Sequence, residues 1–202
     1  MKIVPSNLRC IIFDFAFTLS SDHFGNKYEA AYGKFVFGED CGHISSPWME
    51  GRVSSHDIAE FLASKLELPP KIIHDDLIQS CVNFKFNPEV WDFALAQRQA
   101  GRKTAIVTIN ADVFTKVIVP AHNLENIFDV IVNSADYGEP CKEVLWQMAL
   151  DKLGSEYSFS DCLLIDDAAH NVQRFQELGG CSYLYTGVCQ NRSIIPIYEA
   201  NP

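Results

Sequence analysis

Four kinds of side chain in this sequence could act together on one anionic substrate. Asp14 ends the apolar run LRCIIFD, with Thr18 four residues later; Thr108-Ile109-Asn110 closes the run KTAIVT; Lys142 follows YGEPC; Asp166-Asp167 closes CLLID. A carboxylate that attacks phosphorus, a hydroxyl and an ammonium that bind phosphoryl oxygens, and a second carboxylate that shares a divalent cation make a site for phosphoryl transfer. On this reading Asp14 is the nucleophile and Thr108 and Lys142 are the other catalytic groups. Asp14 and Asp167 bind the metal, and Thr18 and Asn110 contact the substrate. Oxygen ligands with open positions suit Mg²⁺ better than Zn²⁺.

These residues meet only if the chain carries their segments to one edge. From residue 88 the pattern alternates. Asn87-Pro88 opens a helix that Gly101 closes, then KTAIVT (103–108) reads as a buried strand. A helix over about 111–119 is stopped by Pro120; FDVIVN (128–133) is a strand, 143–153 a helix with Gly154 behind it, and CLLID (162–166) a strand. A helix over 169–178 ends at Gly179-Gly180, and CSYLY (181–185) is the last strand. The alternation predicts an α/β fold: a Rossmann-like parallel sheet with helices on both faces, whose strands deliver their terminal residues to one edge.

Segment 22–87 has a different rhythm. DIAEFLASKLEL (57–68) and PKIIHDDLIQSCVNF (70–84) place apolar residues at helical spacing, and 26–37 is a candidate third helix. The predicted organisation is a core of residues 1–21 and 88–202 interrupted by a helical insert, 22–87. Ligands of open α/β sheets bind beyond the carboxyl ends of the strands, so the insert would lie over the site as a lid, hinged near 19–22 and 85–88. Its aromatics (Tyr28, Tyr32, Phe35, Phe37 and Trp48) are mainly the insert's own core, with one or two lining a pocket.

Composition excludes some functions. The formal net charge of −10 argues against nucleic-acid binding, which needs clustered Lys and Arg. No apolar run approaches the roughly 20 residues that span a bilayer, and MKIVPSNLRC lacks the apolar region of a signal peptide. The seven cysteines form an odd set without CxxC, read as reduced, mostly buried thiols, with Cys10, Cys162 and Cys181 in apolar runs. A cytoplasmic protein with a small-molecule substrate and no membrane partner is expected.

With these residues in place, the sequence resembles the haloacid dehalogenase-like (HAD) hydrolase superfamily along nearly its whole length. IIFDFAFTLSS is similar to the first motif, Asp-x-Asp-x-Thr after an apolar strand, with Asp14 at the nucleophile. AIVTIN is similar to the second, with Thr108 at its hydroxyl. CLLIDDAAHNVQRFQELGG is similar to the fourth, with Asp167 at the metal ligand and Asn171 at a supporting position. For the third motif the subgroup has Lys-Pro-x-Pro before a helix and this chain has GEPCKEVLW, so Lys142 is matched with a shift of about two residues. The resemblance implies a Mg²⁺-dependent phosphatase working through an aspartyl-phosphate on Asp14, and a small helical cap in segment 22–87.

Two positions in the first motif also depart from it. Phosphatases of this superfamily carry a second Asp two residues past the nucleophile, which protonates the leaving group and then activates water; here it is Ala16, followed by Phe17 in place of the usual Gly. The Ala16 carbonyl can still bind the metal, but the proton transfers, worth about 10²–10⁴-fold, have no agent. The expectation is a phosphatase-like hydrolase of reduced or specialised activity on a small phosphorylated metabolite. The alternatives are an impaired HAD-fold binding or regulatory protein, and a phosphonatase-like C–P hydrolase using an insert lysine (Lys27, Lys34, Lys65, Lys71 or Lys85). A dehalogenase, whose halide leaves without a proton, is a further alternative.

Overall fold

The computed structural model describes residues 4–187; Cys189 and the last part of the predicted 88–202 segment lie outside the described residues. Five strands form the sheet: β1 (Cys10–Phe13), β2 (Lys103–Thr108), β3 (Val130–Asn133), β4 (Cys162–Asp166) and β5 (Cys181–Leu184). Their order is β3-β2-β1-β4-β5 and every pairing is parallel. Chain order reverses at β1, so the crevice between the ends of β1 and β4 is the switch point where such sheets bind ligands.

The strands are apolar on both faces because both faces are covered. Ile11, Phe13, Ile106, Leu163 and Ile165 point into one cluster, and Cys10, Ile12, Ala105, Val107, Cys162 and Leu164 into the other, the two-residue alternation of a pleated strand. Helices α8 (Lys142–Leu153) and α9 (Ala169–Glu177) cover the second face through Leu145, Trp146, Ala149, Leu150 and Phe175. The first face takes α5 (Pro88–Gln99) through Val90 and Ala94.

Between β1 and α5 the insert supplies α1 (Glu29–Phe35), α2 (Gly42–Met49), α3 (Ser55–Leu66) and α4 (Pro70–Val82). A capping box starts α3: the Asp57 N–H donates to Ser54 Oγ at 3.2 Å and the Ser54 N–H to Asp57 Oδ2 at 2.7 Å. Trp48, Ile58, Leu62, Ile73 and Leu77 belong to the same apolar cluster as Phe13 and Phe15, so the insert's core is continuous with one face of the sheet. The two connecting segments lie side by side, Ser20 Oγ donating to the Lys85 carbonyl at 2.7 Å and the Asn87 N–H to the Leu19 carbonyl at 2.8 Å.

Two local expectations change. The helix expected over about 111–119 is present from 112 to 121, with a π-helical turn, Phe114–Ile118, running into the short α6 (Val119–Ala121), and Pro120 does not stop it. The Val119 N–H bonds the Phe114 carbonyl five residues back, and Pro120 then falls in the first turn of α6, where no N–H is required. Helix α2 lies where no helix is predicted, and it carries Pro47 inside it. A short α7 (Ser134–Tyr137) follows β3 directly.

Candidate active site

Parallel register sets the site. Phe13 pairs with Ile106 and Ile165, so Asp14 emerges beside the ends of β2 and β4. Lys142, the first residue of α8, is buried and donates to Asp14 Oδ1 at 2.8 Å, to the Val107 carbonyl at 2.9 Å and to Asp166 Oδ2 at 3.5 Å. Asp166 is fully buried and also accepts from Asn171 Nδ2 at 3.0 and 3.1 Å and from the Ala168 N–H at 2.9 Å.

Carboxylate oxygens of Asp14, Asp166 and Asp167 all lie within 4.8 Å of one another. Lys142 pairs with Asp14 and Asp166, and Asp167 lies in the same cluster, so one ammonium faces three carboxylates, leaving two negative charges when all are ionised. Both members of the Lys142–Asp14 pair have raised pKa values, for different reasons. Burial pushes the Asp14 carboxyl up to about 6; Lys142 pulls it down, but Asp166 adds to the rise. Burial alone would lower the Lys142 ammonium, and Asp14 and Asp166 together outweigh it. Burial and Asp166 raise Asp167 as well. A hard divalent cation fits this donor set, because it would supply the missing positive charge to oxygen ligands only.

Thr108 ends β2 fully buried, and its hydroxyl has no partner among the described residues. A buried unpaired hydroxyl costs stability unless it finds a partner; Tyr32 Oη, Asn133 Oδ1 and Trp146 Nε1 are likewise unpartnered among the described residues. Asn110 is also buried; its Oδ1 accepts from the Ala111 N–H at 2.8 Å, and its N–H donates to Ser134 Oγ at 2.9 Å.

The loop after Asp14 opens on a chamber of about 860 Å³ walled by Phe15, Ala16 and Phe17, by Ile109 and Asn110, and by the insert's Phe24, Lys27, Tyr32, Phe37 and Phe84. Phe17 adopts φ 56°, a left-handed conformation that strains a residue with a Cβ. The residue is 53 % exposed, and its ring lies 5.4 Å from that of His23.

Solved structures of similar shape can be set beside this arrangement. A predicted HAD-like family hydrolase from Porphyromonas gingivalis has a TM-score of 0.63 at 17% identity, over 89% of this chain and 91% of that one. A HAD family enzyme from Bacteroides thetaiotaomicron, in complex with magnesium and inorganic phosphate, has a TM-score of 0.66 at 14% identity, over 91% and 97%. The fold is that of the HAD-like hydrolases. An L-2-haloacid dehalogenase from Xanthobacter autotrophicus shares the HAD-like fold at a TM-score of 0.55 and 14% identity, over 91% of this chain and 79% of that one. No protein-family model and no curated protein matches the chain.

Within this HAD-like fold, Asp14, Lys142, Asp166 and Asp167 come together, with Thr108 and Asn110 on the adjoining strand end. Thr18 is buried and turns toward Asp167, its hydroxyl 3.5 Å from Oδ1; it is not on the chamber wall. Ala16 is on that wall. Sequence reasoning missed Asp112, which fastens the insert to the HAD-like core. Its carboxylate accepts from Trp48 Nε1 at 3.2 Å, the Ser55 N–H at 3.1 Å, Ser55 Oγ and Lys116 Nζ at 2.9 Å. Nearby, Ser134 Oγ donates to the Met49 carbonyl at 2.6 Å, and a Cβ on Gly51 would lie 2.2 Å from the Ala135 carbonyl oxygen. No local pattern marks these contacts, because the partners of Asp112 in the insert lie 57 and 64 residues back along the chain.

Proposed function

We propose that this protein is a Mg²⁺-dependent hydrolase of phosphate monoesters with Asp14 as its nucleophile. The observation that carries the reading is the cluster of three carboxylates, two of them paired with Lys142, at the switch point of the sheet. Lys142 holds one oxygen of Asp14, which fixes the direction of the other and neutralises part of the phosphoryl charge. The Thr108 hydroxyl donates to a phosphoryl oxygen, which gives it the partner it otherwise lacks. Asp14, Asp167 and the Ala16 carbonyl would hold Mg²⁺, which supplies electrostatic stabilisation of the charge on the transferring group. Asp14 attacks phosphorus, the ester oxygen departs, and water hydrolyses the resulting aspartyl-phosphate.

No side chain at position 16 carries a proton for either step. Turnover of alkyl esters is therefore slow, and Ala16→Asp raises it by about 10²-fold or more, the lower end of general acid–base catalysis. Steady-state hydrolysis of an alkyl and an aryl phosphate with and without Mg²⁺ tests this. A gain that requires Mg²⁺ and is larger for the alkyl ester supports the reading; an Ala16→Asp protein inert on both esters overturns it.

Ala16 also favours a second reading, an impaired binding or regulatory protein on the same scaffold, which an inert Ala16→Asp protein would support. For C–P cleavage, Lys27 is the one candidate lysine on the chamber wall. Borohydride trapping of phosphonoacetaldehyde on Lys27 would favour that chemistry.

A further inference from the structure

We infer that the substrate is an aryl phosphate: a bulky aromatic group joined to phosphate through a phenolic oxygen. This rests on the reading of Asp14 as a nucleophile and extends it to the leaving group. Two independent features of the site lead to it.

The first is the chamber. Its wall includes Phe15 and Ala16, which directly follow Asp14, and Ile109 and Asn110, which directly follow Thr108, so the organic part of an ester held at Asp14 would extend toward it. About 860 Å³ is far more than a two- or three-carbon metabolite fills, and lies in the range of pockets that enclose drug-sized ligands. Six of its residues are aromatic: Phe15, Phe17, Phe24, Tyr32, Phe37 and Phe84. Phe17 and Phe37 are 53% and 45% exposed, leaving ring surface open to a ligand. Charged wall residues do not form a second anion site, since Lys27 is offset by Asp22 and Glu29. An uncharged, flat, apolar group suits such a wall, by burial and by ring-on-ring contact.

The second feature is the leaving group's proton. Phe15, Ala16 and Phe17, the residues that follow the nucleophile, have no proton to transfer; the titratable wall residues, Asp22, His23, Lys27 and Glu29, lie on segment 22–87 rather than in the loop that directly follows Asp14. An ester that can leave as its anion is therefore favoured. A phenol, with a pKa near that of tyrosine at about 10, does so far more readily than an alkanol. In the first step an Asp14 oxygen bonds phosphorus, the P–O(aryl) bond breaks, and its electron pair stays on oxygen as a phenoxide that takes a proton from solvent. In the second, water bonds phosphorus, the P–O(Asp14) bond breaks with its pair returning to the carboxylate, and the water's proton goes to solvent as inorganic phosphate leaves.

The test has two arms. In the binding arm, calorimetry with Mg²⁺ compares 2-naphthylmethylphosphonate with ethylphosphonate, neither of which can be hydrolysed. The naphthyl ligand should bind at least about tenfold more tightly, and Phe37→Ala should cost it about tenfold more than it costs the ethyl ligand. In the turnover arm, kcat/KM should fall steeply from 2-naphthyl phosphate to propyl phosphate, by about 10²-fold or more. Equal binding of the two phosphonates, or propyl phosphate turned over as fast as naphthyl phosphate, overturns the inference. Failure of the underlying reading looks different: no ester is hydrolysed in an Asp14-dependent way, while the phosphonate ranking still decides what the chamber accepts.

Discussion

Asp14 follows β1 and Asp112 follows the end of β2, so both stand at the carboxyl edge of the sheet, but their partners differ in kind. Asp112 has four donors, Trp48, the backbone and hydroxyl of Ser55, and Lys116. Burial alone would raise its pKa, and those hydrogen bonds outweigh burial to hold it below the ordinary value. Asp14 shares the single ammonium of Lys142 with Asp166 and is pushed up to about 6. A carboxylate whose needs are met within the protein fastens the structure, whereas a cluster left short of positive charge is where the proposed cation would bind. The same sheet edge therefore carries a finished joint and an unfinished site.

Exchanging each carboxylate for its amide separates the two. Asp14→Asn should reduce Asp14-dependent turnover by about 10³-fold or more, because the nucleophile is gone. Its melting temperature should hold or rise, since one of three crowded carboxylates has been removed. A large drop in stability with little loss of turnover would reverse the assignment.

Asp112→Asn should do the opposite and cost about 2 kcal/mol or more, since an amide offers one oxygen to donors that had two and a charge. Denaturant melts would measure it, and hydrogen exchange should quicken in α2 and α3, which Asp112 ties down. The effect has a signed pH dependence. The folded-state pKa of Asp112 lies below the unfolded value of about 3.9, so its stabilisation is complete above that value and is lost as pH falls through the folded one. The gap between wild type and Asp112→Asn should therefore be full at neutral pH and close in acid. A gap that persists unchanged in strong acid would remove the carboxylate charge from the explanation.

Much of the Asp14 side of this comparison was legible in the sequence, because strand ends concentrate it. Apolar runs ending in Asp14, Thr108 and Asp166 announce parallel strands, and Asn87-Pro88 and Gly154 mark helix boundaries where the structure has them. Lys142 also reaches the cluster despite its shifted motif, since a lysine side chain in the first turn of α8 is long enough to meet Asp14. The Asp112 side was not legible. Its partners come from a distant segment, one of them on α2, where no helix is predicted. The Phe17 conformation and the unpaired hydroxyls depend on three-dimensional surroundings that no spacing encodes.

Tyr32 gives the smallest predicted effect. Its hydroxyl is buried without a partner among the described residues. Tyr32→Phe should raise stability by up to about 1 kcal/mol in the free protein, because an unsatisfied polar group is removed with the ring retained. A loss instead would mean that the hydroxyl has a partner, such as a bound water, in solution.

The central claim, that Asp14 takes the phosphoryl group, is tested most directly by rapid-quench kinetics with an aryl phosphate and Mg²⁺, followed by mass spectrometry of the acid-quenched protein. With no acid–base group at position 16, hydrolysis of the aspartyl-phosphate should lag behind its formation. The account predicts a burst of aryl alcohol approaching about one equivalent per chain, with the phosphoryl group on Asp14 and no burst from Asp14→Asn. A phosphoryl group on another residue, or a burst of the same size from Asp14→Asn, would contradict it.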